Sequence, residues 1–240
     1  MKDLLDVHMH TLASGHAYNT IREMIAAGSK KGLALVGIAD HAPAMPGSTH
    51  RFYFENLRIF DRKVYGDEAG VELLMGVELN ILNTTGKVDL EEKGLRSVDY
   101  AIASLHDPCI NPGMALDNTT AIMSAMWIPQ VKIIGHPDNP VFPVDFDQIA
   151  KAAAERHVLL ECNNSSYRPG GSRTGSRDLA KKMLQACKKY GTHVIMGSDA
   201  HIDLDVGNHA LSEEVIREAD FPEELVINSS PEKFKEWIRA

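Results

Sequence analysis

Cysteine is scarce: three residues in 240, Cys109, Cys162 and Cys187, stand far apart with no C-x-x-C pair. That spacing excludes a thiolate metal site and suits a reducing compartment, so each thiol reads as a small buried hydrophobe rather than a nucleophile. No stretch is long and apolar enough to span a bilayer, and the opening "MKDLLDVHMH" lacks the apolar core of a signal peptide. The expectation is a cytoplasmic protein with no membrane partner. Positive charge is also short. A formal net charge of -8 and the lack of a basic, aromatic track weigh against a nucleic-acid partner. Low-complexity linkers, a Gly-rich phosphate loop and a nucleophile elbow are missing, so any bound phosphate has to rest on metals, rim amides and arginines.

What is present is an alternation of short Val- and Ile-rich runs with stretches of helical period, the pattern of βα units around a parallel sheet. The expected strands are "LLDVHMH", "LALVGIADH", "VELLMGVELN", "VDYAIASLH", "QVKIIGHP", "HVLLECNN" and "HVIMGSDAH". Helices are expected over 20–31, 54–69, 119–126, 145–155, 176–190 and 212–218, with a short closing helix over 231–239. Asp145 and Ser176 are the expected starts of two of them. A chain of 240 residues accommodates one (β/α) barrel, so 1–240 is expected to form a single domain. The polar Gly/Pro-bearing segments 42–51 and 167–175 are expected substrate loops.

Read as a strand, "LLDVHMH" places Asp6, His8 and His10 on one face and Leu5, Val7 and Met9 on the other. Nearly every later expected strand also ends in a ligand-type or amide residue: Asp40 and His41, Glu78, His106, His136, Asn163 and Asn164, Asp199 and His201. In a parallel barrel the carboxyl ends of the strands share one rim, where functional residues converge. Histidines at strand starts or a helix start, His157, His193 and His209, fall outside this pattern. Imidazoles and carboxylates without thiolates suit zinc, with manganese or iron as alternatives. One zinc takes about four ligands, and this rim offers more, so several ions are expected, with Glu78 able to bridge two.

The ordered motifs "DVHMHTLASGH", "IADH", "GVELN", "SLH", "GHP", "ECNNS" and "GSDAH", running from 6 to 201, resemble those of the PHP superfamily, the polymerase and histidinol phosphatase domains. More narrowly, they resemble the stand-alone bacterial PHP phosphatases. The resemblance implies a distorted seven-stranded (β/α) TIM-like barrel and a trinuclear zinc site. It implies one ion on His8, His10, Glu78 and Asp199, a second on Glu78, His106 and His136, and a third on His16, His41 and His201. Amidohydrolases also open on an H-x-H strand, but their dinuclear members commonly carry a bridging lysine at the end of strand four. Here that strand ends "ASLHDP".

The expected activity is hydrolysis of a small phosphate monoester through metal-bound hydroxide, with Glu78 and Asp199 as the acidic ligands of the catalytic cluster. Three divalent ions against two carboxylates would leave a formal charge of about +4 at the pocket of an otherwise acidic protein. A unit-charge pair at about 4 Å is worth roughly 4 kcal/mol at an effective dielectric of 20, so a small phosphorylated substrate or inorganic phosphate is the expected partner. Asn163, Asn164, Arg168, Arg58 and His50 are candidate substrate contacts, with Arg51, Arg173 and Arg177 as further arginines able to fork onto phosphate. Asp6 and Asp40 read either as carboxylates orienting imidazoles or as turn caps. A phosphodiesterase or nuclease, and a non-enzymatic zinc-binding protein, remain alternatives. Substrate identity and oligomeric state stay open; Met114, Met123, Met126 and Trp127 read as core before they read as a partner-facing patch.

Overall fold

The computed structural model describes residues 2–240. Its strands are β1 (Leu5–Asp6), β2 (Leu35–Ile38), β3 (Glu72–Met75), β4 (Val77–Asn80), β5 (Ala101–Ser104), β6 (Val131–Ile134), β7 (Leu159–Asn163) and β8 (Val194–Gly197). Every pair is parallel, in the orders β1-β2-β3 and β4-β5-β6-β7-β8. The expected third strand is thus interrupted at Gly76, but its two halves stay in line along the extension of β2. Gly76 N–H donates to Ile38 O, Glu78 N–H to Asp40 O, and Ala42 N–H to Glu78 O. The ring closes beyond β8, where Asp199 N–H donates to His8 O and His10 N–H to Ala200 O, both at 2.8 Å. Seven strands therefore make one distorted TIM-like barrel.

Tyr100 crowds the barrel interior. Its fully buried ring fills the barrel interior among Leu5, Val7, Leu35, Ile102, Ile133, Leu159 and Ile195. A Cβ at Gly37 or Gly76 would run into that ring, so glycine is required at both for close approach. The phenol donates to Val7 O at 2.6 Å, just after β1 stops pairing with β2. There the alternation of the first strand breaks. Val7 belongs to the inner cluster and His8 also reaches the inner rim, so Asp6 does not share a face with His8 and His10. Asp6 instead accepts from Ser198 N–H and Gly207 N–H and lies beside His209.

Helices α1 (Ile21–Lys30), α2 (Phe52–Asn56), α3 (Arg62–Ala69), α4 (Glu92–Leu95), α5 (Ala115–Ala125), α6 (Phe146–Arg156), α7 (Ser176–Tyr190), α8 (Ala210–Glu218) and α9 (Pro231–Arg239) surround the strands. Thr20 and Glu23 form a capping box on α1, and Asp145 caps α6 through Asp147 N–H and Gln148 N–H. The helix expected over 54–69 is broken. Asp61 caps a new start by accepting from Val64 N–H, while the Arg62 guanidinium takes the carbonyls of Leu57 and Phe60 that end the preceding turn. Helix α5 begins earlier than expected, α7 starts after Gly175 rather than at a Ser176 cap, and α4 was not anticipated. Helix α9 closes the strand-start end of the barrel with Phe234 and Trp237, and His157 and His193 pack on the Trp237 ring. The methionine group divides: Met126 is buried, whereas Met114 and Trp127 are exposed. Among the described residues no helix is long and apolar enough to cross a membrane.

His209 is buried with Nδ1 2.7 Å from Asp3 Oδ2 and Nε2 3.5 Å from Asp6 Oδ1. Burial alone would depress its pKa, but Asp6 and Asp3 outweigh burial and lift it to about 10 from an ordinary 6.5. A raised folded-state pKa gives stability that is complete below the unfolded value and is lost as pH rises through the folded one. Between pH 6.5 and 10 the unfolding free energy should therefore fall, by up to about 1.4 kcal/mol per pH unit. Urea unfolding of His209→Asn should show a flatter profile over that window; the same slope in both proteins would sink the assignment.

Candidate metal centre

The ends of the strands deliver nine side chains to one rim. His8 and His10 follow β1, His16 comes from the next loop, His41 follows β2, Glu78 lies in β4, and His106, His136, Asp199 and His201 follow β5, β6 and β8. Two of them sit in strained backbone: His136 and Asp199 have φ of 31° and 54°, the left-handed region that side chains seldom adopt.

Glu78 stands at the middle and its two oxygens face different imidazoles. Oε1 lies 3.1 Å from His136 Nε2 and 3.2 Å from His106 Nε2, and it accepts the Ser104 hydroxyl at 2.7 Å. Oε2 lies 2.8 Å from His41 Nδ1, 3.4 Å from His8 Nε2 and 3.5 Å from His10 Nε2. Asp199 Oδ1 is 3.2 Å from His10 Nε2 and 3.6 Å from His201 Nδ1. His16 is exposed, with its ring 4.8 Å from that of His201 and 5.0 Å from that of His41. Three groups bring their ligand atoms close enough for a cation: His8, His10 and Glu78; His41, Glu78 and His106; and His10, His41 and His201. The first falls within a set implied by the motifs and the other two, which share His41, each draw on more than one set, while His16, His136 and Asp199 border the groups.

The donor set fits divalent cations. Five buried polar atoms of the cluster lack any hydrogen-bond partner: His8 Nε2, His10 Nε2, His41 Nδ1, His106 Nε2 and Glu78 Oε2. Buried polar atoms are seldom left so, because their desolvation is uncompensated. The opposite ring nitrogens of His8 and His106 are engaged, as is Nδ1 of His201. His8 Nδ1 is 2.6 Å from Glu161 Oε1, His106 Nδ1 2.7 Å from Asn80 Oδ1, and His201 Nδ1 3.0 Å from Asp199 O. Such partners hold an imidazole in the tautomer whose other nitrogen is bare for a metal.

Charge is finely divided. Burial opposes ionisation of Glu78, yet His41, His106 and His8 hold its carboxyl well below the usual range; for Asp199, His8, His10 and Arg173 likewise outweigh burial. Burial pulls His136 down to about 4, helped by Arg173, and burial with His41 and His201 depresses His10. His8 goes the other way, since Glu161, Glu78 and Asp199 overcome its burial.

The expected substrate contacts divide. Asn163 is in the site, but its amide is spent on Glu161, Asp199 and Ser166. Asn164 is buried elsewhere, accepting from Leu211 N–H and Ser212 N–H at the start of α8. Arg168 pairs with Asp205 at 2.8 Å, Arg58 is exposed, and His50 is exposed against Phe52; none of these joins the cluster. The arginine that does is Arg173, whose Nη1 donates to Asp199 Oδ2 and Ser166 Oγ, both at 3.1 Å. Sequence reasoning missed Glu161, Asn80 and Ser14. Glu161 and Asn80 each lie two positions from a residue already singled out, Asn163 and Glu78, on the same strand face, and that spacing was the available signal.

A parallel barrel that gathers histidines and two carboxylates at the carboxyl ends of its strands is the build of a barrel metal-dependent hydrolase. A model of the PHP domain matches residues 6–166, and the chain belongs to the PHP family. It is 44% identical over 240 residues to a probable phosphatase of Clostridium acetobutylicum, covering 100% of this chain and 96% of that protein. Among solved structures it resembles the histidinol phosphate phosphatase of Lactococcus lactis complexed with zinc, L-histidinol and phosphate, with TM-score 0.59, 17% identity and coverage of 92% and 95%. It also resembles a chain of an archaeal ribonuclease P solved with mature tRNA, with TM-score 0.60, 13% identity and coverage of 98% and 90%. At such identities the two structures share the fold alone.

Proposed function

We propose that this protein is a metal-dependent phosphatase that hydrolyses a small phosphate monoester, and that residues 1–240 act as one PHP domain. His8, His10, His16, His41, Glu78, His106, His136, Asp199 and His201 would hold three divalent ions, zinc before manganese or iron. The observation that carries the reading is the set of unpartnered buried nitrogens around the two oxygens of Glu78. The probable phosphatase of C. acetobutylicum and the zinc- and phosphate-bound L. lactis fold neighbour support it.

Bound ions would supply Lewis-acid polarisation of phosphoryl oxygens and a water acidified towards neutrality. The chain's own residues do the positioning. Glu78 holds two sets of imidazoles about one carboxylate, and Asp199 is fixed from behind by Arg173 and Asn163. Among the described residues only Nη1 of Arg173 is engaged, which leaves guanidinium N–H groups for a phosphoryl oxygen. A half-buried cation beside the carboxylates suits an anionic substrate.

The test is phosphate release from an aryl phosphate by protein whose metal content is counted in the same sample, before and after chelation and zinc restoration. Release should follow metal content, vanish on chelation and return with zinc. A fully loaded protein that leaves the monoester intact overturns the reading, in favour of diester hydrolysis if a bis-aryl phosphate is cleaved and of metal binding alone if neither is.

A further inference from the structure

The hydroxyl of Ser14 has three neighbours and one proton. It lies 2.7 Å from Asp40 Oδ1, 3.0 Å from the backbone nitrogen of His41 and 3.1 Å from Nδ1 of His10. The His41 N–H can only donate to it. Asp40 is an acceptor throughout its fully buried surroundings, taking Thr11 N–H at 2.7 Å, the Thr11 hydroxyl at 2.8 Å and the Tyr53 hydroxyl at 2.8 Å. The Ser14 proton therefore goes to Asp40, and only lone pairs remain on Oγ for His10. Nδ1 of His10 must then carry hydrogen, and its Nε2 is bare. That Nε2 is the buried atom without a partner that lies between Asp199 and Glu78.

We infer that Ser14 is the positioning residue that sets the tautomer of His10 for a cation, and that Asp40 and Tyr53 hold Ser14 to that role. This rests on the metal-dependent reading above. Asp40 acts by claiming the one proton that Ser14 could otherwise turn on His10, which would put hydrogen on Nε2 and close that nitrogen to a metal. Tyr53 reaches this network from α2, outside the barrel. Burial, then Asp40, keeps its phenol far above the ordinary range, so it is a permanent donor. His8 and His106 have separate partners in Glu161 and Asn80, so a change at Ser14 should be felt at His10 and not at those two.

The experiment compares wild type, Ser14→Ala and Tyr53→Phe as full chains, titrating zinc against a competing chelator and following imidazole N–H resonances of the cobalt-loaded proteins. Ser14→Ala should bind at least one zinc about tenfold more weakly, and the His10 Nδ1–H should exchange with water much faster while those of His8 and His106 keep their rates. Tyr53→Phe should shift both readouts in the same direction by less, and it decides the question if Ser14→Ala does not fold. Unchanged zinc affinity and unchanged His10 exchange overturn the inference. A wild type that takes up no zinc or cobalt overturns the metal-dependent reading itself, a different result.

Discussion

Glu78→Gln should lower phosphate release by at least about a thousandfold and strip the protein of two of the three ions proposed above, a larger loss than the 10- to 100-fold usual for residues that only support a ligand. An amide has one oxygen to offer where the carboxylate has two. Ser104 donates to the Oε1 position, so the amide oxygen settles there and the NH2 group takes the place of Oε2, facing His41, His8 and His10. Those nitrogens would then accept hydrogen bonds instead of binding cations, while the His106 and His136 side keeps an oxygen. Metal analysis and turnover on the same samples check this; retained metal content and retained turnover would sink the assignment of Glu78.

Glu161→Gln comes next, with an expected loss of about a hundredfold in affinity for the ion held by His8. The carboxylate serves three donors at once: His8 Nδ1 at 2.6 Å, His136 N–H at 2.9 Å and Asn163 Nδ2 at 3.1 Å. With a glutamine, its NH2 must face either His8 or the pair of backbone and amide donors, so at least one buried donor is left without an acceptor, at about 1–3 kcal/mol each. The negative charge that overcomes the burial of His8 is also lost, and the ring becomes a weaker base and a weaker ligand. Chelator competition should show the deficit; Glu161→Gln with wild-type zinc affinity would mean that His8 needs no carboxylate behind it.

The rim was legible because its residues sit at the ends of strands whose Val- and Ile-rich runs declare themselves, and because parallel βα order sends all those ends to one side. What could not be read was local. The break after Val7 falls where Tyr100, far along the chain, donates to Val7 O, and Asp6 faces His209 and not the cluster. Arg173 and Arg168 are alike in the sequence, and only the path of the loop decides that one reaches Asp199 while the other pairs with Asp205. Ser14 acts on His10 through a hydrogen bond from a loop, for which composition and period carry no signal.

The seam of the barrel lies within the candidate metal centre: the first strand meets the last through His8 and Asp199, and Ser198 bonds His8 across 190 positions. A chain emerging from the ribosome therefore holds most of its imidazoles long before it has anywhere to arrange them, and the partner of His8 at the seam follows only 190 positions later. A complete cation site would have to wait for that closure. A truncation before Asp199 should yield a protein that lacks closure and a complete set of ligands together.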